Sequence, residues 1–127
     1  MKWKKLTEKN SVIAYVQGLQ PITKEDISDV LAGAFEGGSN YWLDAVSVVD
    51  DDYKTAKYAS DVVGLGGELI LKTFDNDKKR LTKNMMVKGI QQYVDEGGKH
   101  FPFTGSADAC TYDTILQYAL FDEIVYG

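Results

Sequence analysis

The chain has one cysteine, one histidine, one arginine and two prolines. With Cys110 alone no internal disulfide can form, and Cys110 with His100 cannot complete a Cys/His zinc site within one chain. A lone arginine, Arg80, supplies no set of guanidinium forks for phosphates or carboxylates. Positive charge is also in deficit, 14 Lys and Arg against 19 Asp and Glu, for a formal net charge of −5. That balance excludes a basic surface able to track duplex phosphates, so no duplex nucleic acid is expected as a partner. Long apolar runs are missing too: Val12–Val16 is among the longest, far below the ~20 residues that cross a bilayer. Met1–Lys9 opens with the charge of a signal peptide but stays polar where an apolar stretch is required. A cytoplasmic location with no membrane partner is the expectation.

What is present is 127 residues with a 44% hydrophobic share, enough for one modest core. Nothing divides the chain, so residues 1–127 read as a single compact domain, with the Lys-rich residues 1–10 a loosely attached N-terminal extension. Residues 11–18 are β-branched and aromatic and end on Gly18, the pattern of a strand and its stop. Pro21 reads as a turn. Thr23 then caps a helix whose first turn is acidic and whose apolar face is Ile27, Val30, Leu31, Ala34 and Phe35. Gly37-Gly38 ends it, Gly37 being suited to the left-handed conformation after a helix.

A second strand follows at Ala45–Val49, closed by Asp50-Asp51-Asp52. Residues 53–63 have room for one or two helical turns before the glycine loop Gly64–Gly67 leads into a strand at Glu68–Phe74. Asp75–Lys78 has the composition of a tight turn, with Lys79–Leu81 pairing back as a hairpin. Thr82 caps a second amphipathic helix bearing Met86, Ile90, Tyr93 and Val94 and ended by Gly97-Gly98. A loop over 99–106 leads to a third helix begun by Asp108 or its neighbours, with Tyr112, Ile115, Leu116, Ala119 and Leu120 apolar. Ile124–Gly127 reads as a short docked strand. The expected fold is α+β: a small mixed sheet of about three to five strands packed by about three amphipathic helices.

Catalytic groups are sparse. Cys110 and His100 are the sole thiol and imidazole, without a recognisable motif around either, and a buried thiol with a loop imidazole is the ordinary reading. Asp50–Asp52 and Asp75-Asn76-Asp77 gather oxygen ligands but do not match a calcium loop, and the second runs into Lys78-Lys79-Arg80. Gly64–Gly67 precedes a strand, whereas phosphate-cradling loops precede helices. No catalytic residue, metal or cofactor is assigned.

The binding candidates fall in two clusters. Ser39, Asn40, Tyr41 and Trp42 set two stackable rings beside short polar side chains at a glycine-rich helix end, a pattern that binds nucleotides without basic bulk. Core packing of Tyr41 and Trp42 is the competing reading. Tyr58, Ser60 and Asp61, followed by Gly66 and Gly67, form a second cluster able to face the first. Lys57, Lys72 and Arg80 are the candidate phosphate cations.

Glu36-Gly37-Gly38 with Tyr41-Trp42, Tyr58–Asp61, Gly66–Leu71, Gln117–Phe121 and Ile124–Gly127, in this order, resemble a group of small proteins encoded by phages and prophages of Gram-positive bacteria. The resemblance covers roughly residues 11–127 and carries no catalytic residues over. It implies a compact accessory protein acting in the cytoplasm of a host cell, with counter-defence as the expected role. The leading expectation is a non-enzymatic protein that binds and sequesters a nucleotide-like immune signal, in a homo-oligomer if a subunit interface completes the pocket. The alternatives are a protein-binding inhibitor of a host defence complex, anti-CRISPR-like, presenting the acidic surface around Asp50–Asp52, and a virion or assembly component.

Overall fold

The computed structural model describes residues 11–17, 20–53, 56–103 and 107–127. The N-terminal extension over 1–10 and the strand stop at Gly18 lie outside the described residues. The fold is α+β, with strands β1 Val12–Val16, β2 Gln20–Thr23, β3 Leu43–Val48, β4 Leu69–Thr73 and β5 Lys78–Leu81, and helices α1 Lys24–Gly33, α2 Lys83–Asp95 and α3 Ala109–Phe121. The five strands do not share one mixed sheet: β1 and β2 form an antiparallel ribbon, and β3, β4 and β5 a separate antiparallel sheet in the order β3-β4-β5.

Pro21 is the first correction. It sits inside β2, opposite Tyr15, because both strands of a two-stranded ribbon are edges and an edge position facing away from the partner tolerates a missing N–H. Thr23 ends that strand and caps α1 as expected. Its hydroxyl accepts from the Asp26 N–H at 3.2 Å, and the Asp26 carboxylate accepts from the Thr23 N–H at 2.8 Å, a reciprocal capping box. Ile27, Val30 and Leu31 are its buried face.

A widened turn over Ala34–Gly38 follows α1. Gly37 has φ 177°, extended rather than the expected left-handed conformation, while Gly97 after α2 does take positive φ, at 93°. The glycine that matters in the first pair is Gly38. A Cβ there would come within 2.5 Å of the Ala109 carbonyl oxygen, so only glycine lets the turn pass over the start of α3.

In the three-stranded sheet Leu69, Leu71 and Thr73 are buried on one face with Leu43 and Leu81, and Ile70 and Lys72 take the other, the period of a half-covered strand. On that open face Lys72 pairs with Asp44 and Arg80 with Glu68, each at 2.8 Å. Asn76, at φ 68°, makes the β4–β5 turn. Thr82 accepts from the Met85 N–H at 3.3 Å to start α2, and Asp108 accepts from the Thr111 N–H at 3.0 Å to start α3.

Helix α3 packs against α2, α1, the Ala34–Gly38 turn and β5. A helix covered on several sides buries more than one stripe, and α3 buries Thr111, Asp113 and Gln117 along with Ile115, Leu116, Ala119 and Leu120. Ile124–Gly127 forms no strand. It is an irregular segment held by α3, through contacts described next.

Candidate functional site

Asp113 and Gln117 lie one turn apart on α3, on the same face. Asp113 is only 8% exposed, and a buried carboxylate needs donors to offset its lost hydration. Four converge on it. Oδ1 accepts from Ser39 Oγ at 2.8 Å and from Trp42 Nε1 at 2.7 Å. Oδ2 accepts from the Tyr41 hydroxyl at 2.6 Å and from Gln117 Nε2 at 3.1 Å. The Ser39-Asn40-Tyr41-Trp42 segment thus wraps one carboxylate with three of its four side chains.

Gln117 extends this network to the C-terminal segment. Its Oε1 accepts from the backbone N–H groups of Val125 and Tyr126, both at 2.8 Å, and its Nε2 donates to the Tyr126 carbonyl at 3.1 Å. The two backbone donors fix which end of the amide faces which way. The Tyr126 ring stacks on Trp42 with centroids 5.2 Å apart and planes 2° from parallel, and Phe121 meets both rings edge-on. Among the described residues, no buried side-chain nitrogen or oxygen lacks a partner.

Tyr41 differs from its neighbours. The residue is 54% exposed while its hydroxyl is committed to Asp113. Its pKa is pushed up to about 12, first by burial of the hydroxyl and then by the hydrogen bond and negative charge of Asp113. Tyr41 borders a cleft of about 460 Å³ whose other walls are Gly37-Gly38, Ala109, Cys110, Thr114 and Gln117 of α3, and Ile124, Tyr126 and Gly127. Among the described residues, Asp113 is the one charged side chain lining it, already saturated with hydrogen bonds.

A second cavity, of about 400 Å³, is lined by Lys24, Glu25, Ser28 and Asp29 of α1 and by Asp61, Gly64 and Leu65. Among the described residues its walls carry three carboxylates and one ammonium, a poor environment for phosphate.

The sequence-derived candidates therefore do not converge on one pocket. Trp42, 2% exposed, is a core residue: its ring face is covered by Tyr126 and its N–H is spent on Asp113, so it cannot stack a base. Ser39 is fully buried in the same network. Asn40 is exposed beside Tyr41. Tyr58 is exposed with the Lys57 ammonium 5.3 Å above its ring, Ser60 is half-buried, and Asp61 lines the acidic cavity rather than the cleft. Gly66 has φ 104° and shapes the turn into β4. Gly67 is packed so closely on Val62 and Tyr53 that a side chain would collide. Lys72 and Arg80 are paired to carboxylates on the open sheet face. Cys110 is exposed at the cleft, and His100 lines neither cavity.

Asp113 and Gln117 escape a reading of α3 that tracks only its apolar residues. Their signal is a carboxylate and an amide at i and i+4 within a mostly apolar helix, which demands buried partners. No protein-family model, curated protein or solved structure matches the chain.

Proposed function

We propose that this is a non-enzymatic binding protein whose site is the cleft beside Tyr41, and that its ligand is nucleotide-like. The observation that carries the reading is Tyr41: a residue more than half exposed, at the rim of a cleft, with its ring oriented by a 2.6 Å hydrogen bond from its hydroxyl to Asp113. A stacking face held in place gives up little entropy on binding, and stacking contributes about 1–3 kcal/mol per base. Asn40 stands beside the ring, and the first turn of α3, at Ala109 and Cys110, faces the same cleft with the positive end of the helix dipole. Taken with the resemblance to phage proteins, this is the profile of a counter-defence protein that sequesters an immune nucleotide in the host cytoplasm. Trp42 and Ser39 hold the frame and do not touch the ligand.

The test is thermal melting against a panel of cyclic dinucleotides, cyclic oligonucleotides and ADP-ribose-derived compounds. A ligand at about 100 times its Kd stabilises by about 2.7 kcal/mol, roughly 10 °C for a domain of this size. A shift of that order for one compound supports the reading, and no shift across the panel overturns it.

One observation favours a second reading. Asp50, Asp51 and Asp52 are all exposed where the chain leaves β3, a concentration of negative charge suited to a basic groove on a protein target. Binding by that surface would weaken with salt and with Asp→Asn changes there, whereas stacking in the cleft would respond little.

A further inference from the structure

A strand at the edge of a sheet offers backbone groups that another chain can pair with, and folded proteins block such edges with lysines, prolines or a covering helix. Among the described residues three of the four edges are blocked. β1 meets α2, where Gln91 Nε2 donates to the Tyr15 carbonyl at 2.9 Å. β2 carries Pro21, and β5 is the exposed run Lys78-Lys79-Arg80. β3 has none of these devices. It holds no lysine or proline, and its single charge, Asp44, is paired with Lys72.

The register of β3 on β4 fixes which of its groups face outward. The Val49 N–H donates to the Glu68 carbonyl at 3.0 Å. Bonded and non-bonded pairs alternate in an antiparallel ladder, so Ser47 and Ala45, opposite Ile70 and Lys72, also bond to β4. The N–H and C=O groups of Val46 and Val48 therefore point away from β4, and among the described residues they have no hydrogen-bond partner. The side chains of Val46 and Val48 lie opposite Leu71 and Leu69 and pack against the core, while Ala45 and Ser47 are exposed. Just past the strand stand the exposed Asp50 and Asp52.

We infer that β3 accepts a further strand, an extended segment of a partner protein that is basic at its N-terminal end and then alternates β-branched apolar with small polar residues. All three described strand pairings are antiparallel. A strand added in the same sense bonds to the outward groups of Val46 and Val48, sets its apolar residues opposite those two valines, and brings its N-terminal end to Asp50 and Asp52. A second copy of this chain fits less well. The self-pairing that satisfies every outward group is symmetric about Ser47 and sets Asp44 opposite Asp50 of the other copy, where like charges repel. The edge lies apart from the Tyr41 cleft, and this mode of binding goes beyond a basic groove closing on Asp50–Asp52, which needs no free strand edge.

The test is a residue-resolved amide NMR titration of the unmodified chain with the peptide Lys-Lys-Val-Thr-Val-Thr, blocked at both ends. The Val46 and Val48 amide signals should move downfield and exchange more slowly with solvent, since each gains an acceptor. Glu-Glu-Val-Thr-Val-Thr should bind several-fold more weakly, and Asp50→Lys/Asp52→Lys should reverse that preference. The lysine peptide N-methylated at both valines lacks the N–H groups that donate to the Val46 and Val48 carbonyls, and should bind roughly tenfold more weakly or worse. Unmoved Val46 and Val48 amides at millimolar peptide overturn the proposal. So does equal binding of the methylated and unmethylated peptides, which would leave the acidic surface as a binding face without the edge, and so does equal binding of the lysine and glutamate peptides. Val46 and Val48 amides already protected in the free protein, and released on dilution, would place a second copy on β3 and overturn it as well.

Discussion

Replacing Asp113 with alanine removes one carboxylate and strands four donors. The Trp42 indole N–H and the Ser39 hydroxyl are 2% and 0% exposed, so water cannot reach them without opening the core. An unsatisfied buried donor costs about 1–3 kcal/mol. The Tyr41 hydroxyl keeps the Tyr126 carbonyl as an acceptor at 3.2 Å, and Gln117 keeps its bonds to Val125 and Tyr126. Counting chiefly the two sealed donors, Asp113→Ala should destabilise the fold by about 3–5 kcal/mol, close to what breaking a buried charged network costs. Asp113→Leu should do no better, since an apolar side chain satisfies neither donor. Asp113→Asn keeps an oxygen for Ser39 and Trp42, but its N–H₂ faces a second N–H₂ on Gln117, so a loss of about 1–2 kcal/mol is expected. Urea unfolding followed by circular dichroism measures all three, and the alanine variant should melt roughly 15 °C lower. A loss below about 1 kcal/mol for Asp113→Ala would refute the assignment of Asp113 as the organising group of this region.

Other regions give independent checks. Gly89→Ala gains helix propensity of about 1 kcal/mol, yet its Cβ would lie 2.8 Å from the Ile115 carbonyl oxygen of α3 and 3.0 Å from Ala119. Net destabilisation of about 1–3 kcal/mol is expected in thermal unfolding, and a stabilised variant would mean that the α2–α3 crossing is looser than described. Thr82→Ala should cost about 1 kcal/mol through loss of the α2 cap, with Thr82→Ser near neutral by the same measurement. The raised Tyr41 pKa means that the folded state keeps a proton the unfolded state has lost, so this contribution is intact below about pH 10 and disappears as pH rises towards about 12. Tyr41→Phe should flatten the alkaline fall in stability, and equal slopes for the two proteins would contradict the hydrogen bond to Asp113. At the acid end the Thr111 backbone N–H, and then its hydroxyl, hold the Asp108 carboxyl below its ordinary 3.8. The stability that Asp108 contributes is therefore present above that value and lost as pH falls through the lower folded one, and Asp108→Asn should remove that part of the acid dependence in pH-dependent melting.

Local signals carried most of the fold. Thr23, Thr82 and Asp108 each announce a helix start and each accepts the N–H that a cap should, while the alternation of Leu69, Leu71 and Thr73 against Ile70 and Lys72 gives β4 its two faces. Pro21 misleads because its missing N–H argues against a strand unless the strand is an edge, and edge position is a property of the assembled ribbon. Gly37 misleads for a similar reason: a glycine pair after a helix suggests a left-handed stop, whereas the constraint comes from Ala109, more than seventy residues away, pressing on Gly38.

The site was half legible. Ser39-Asn40-Tyr41-Trp42 stands out in the sequence as an aromatic and polar cluster, but which ring is free depends on what packs against it. Trp42 is taken by Tyr126 from the C-terminal segment, and Asp113 on α3 takes its N–H. Neither long-range partner is implied by the residues near Trp42, while Asp113 and Gln117 are hidden in a helix whose apolar residues dominate its pattern. Tyr58, Ser60 and Asp61 share the composition of the first cluster, but Asp61 lines the acidic cavity with α1, and none of the three lines the Tyr41 cleft.

The central claim is that the cleft beside Tyr41 holds a ligand while Trp42 and Asp113 hold the frame. Thr114 lines that cleft and takes no part in the Asp113 network, so Thr114→Trp fills the space without touching the frame. The most direct measurement is parallel thermal melting of the unmodified chain and Thr114→Trp, each with and without the nucleotide panel. The account predicts matching transitions without compound and a ligand-induced rise in the unmodified chain alone. A rise of equal size in both proteins, or in neither, would contradict it.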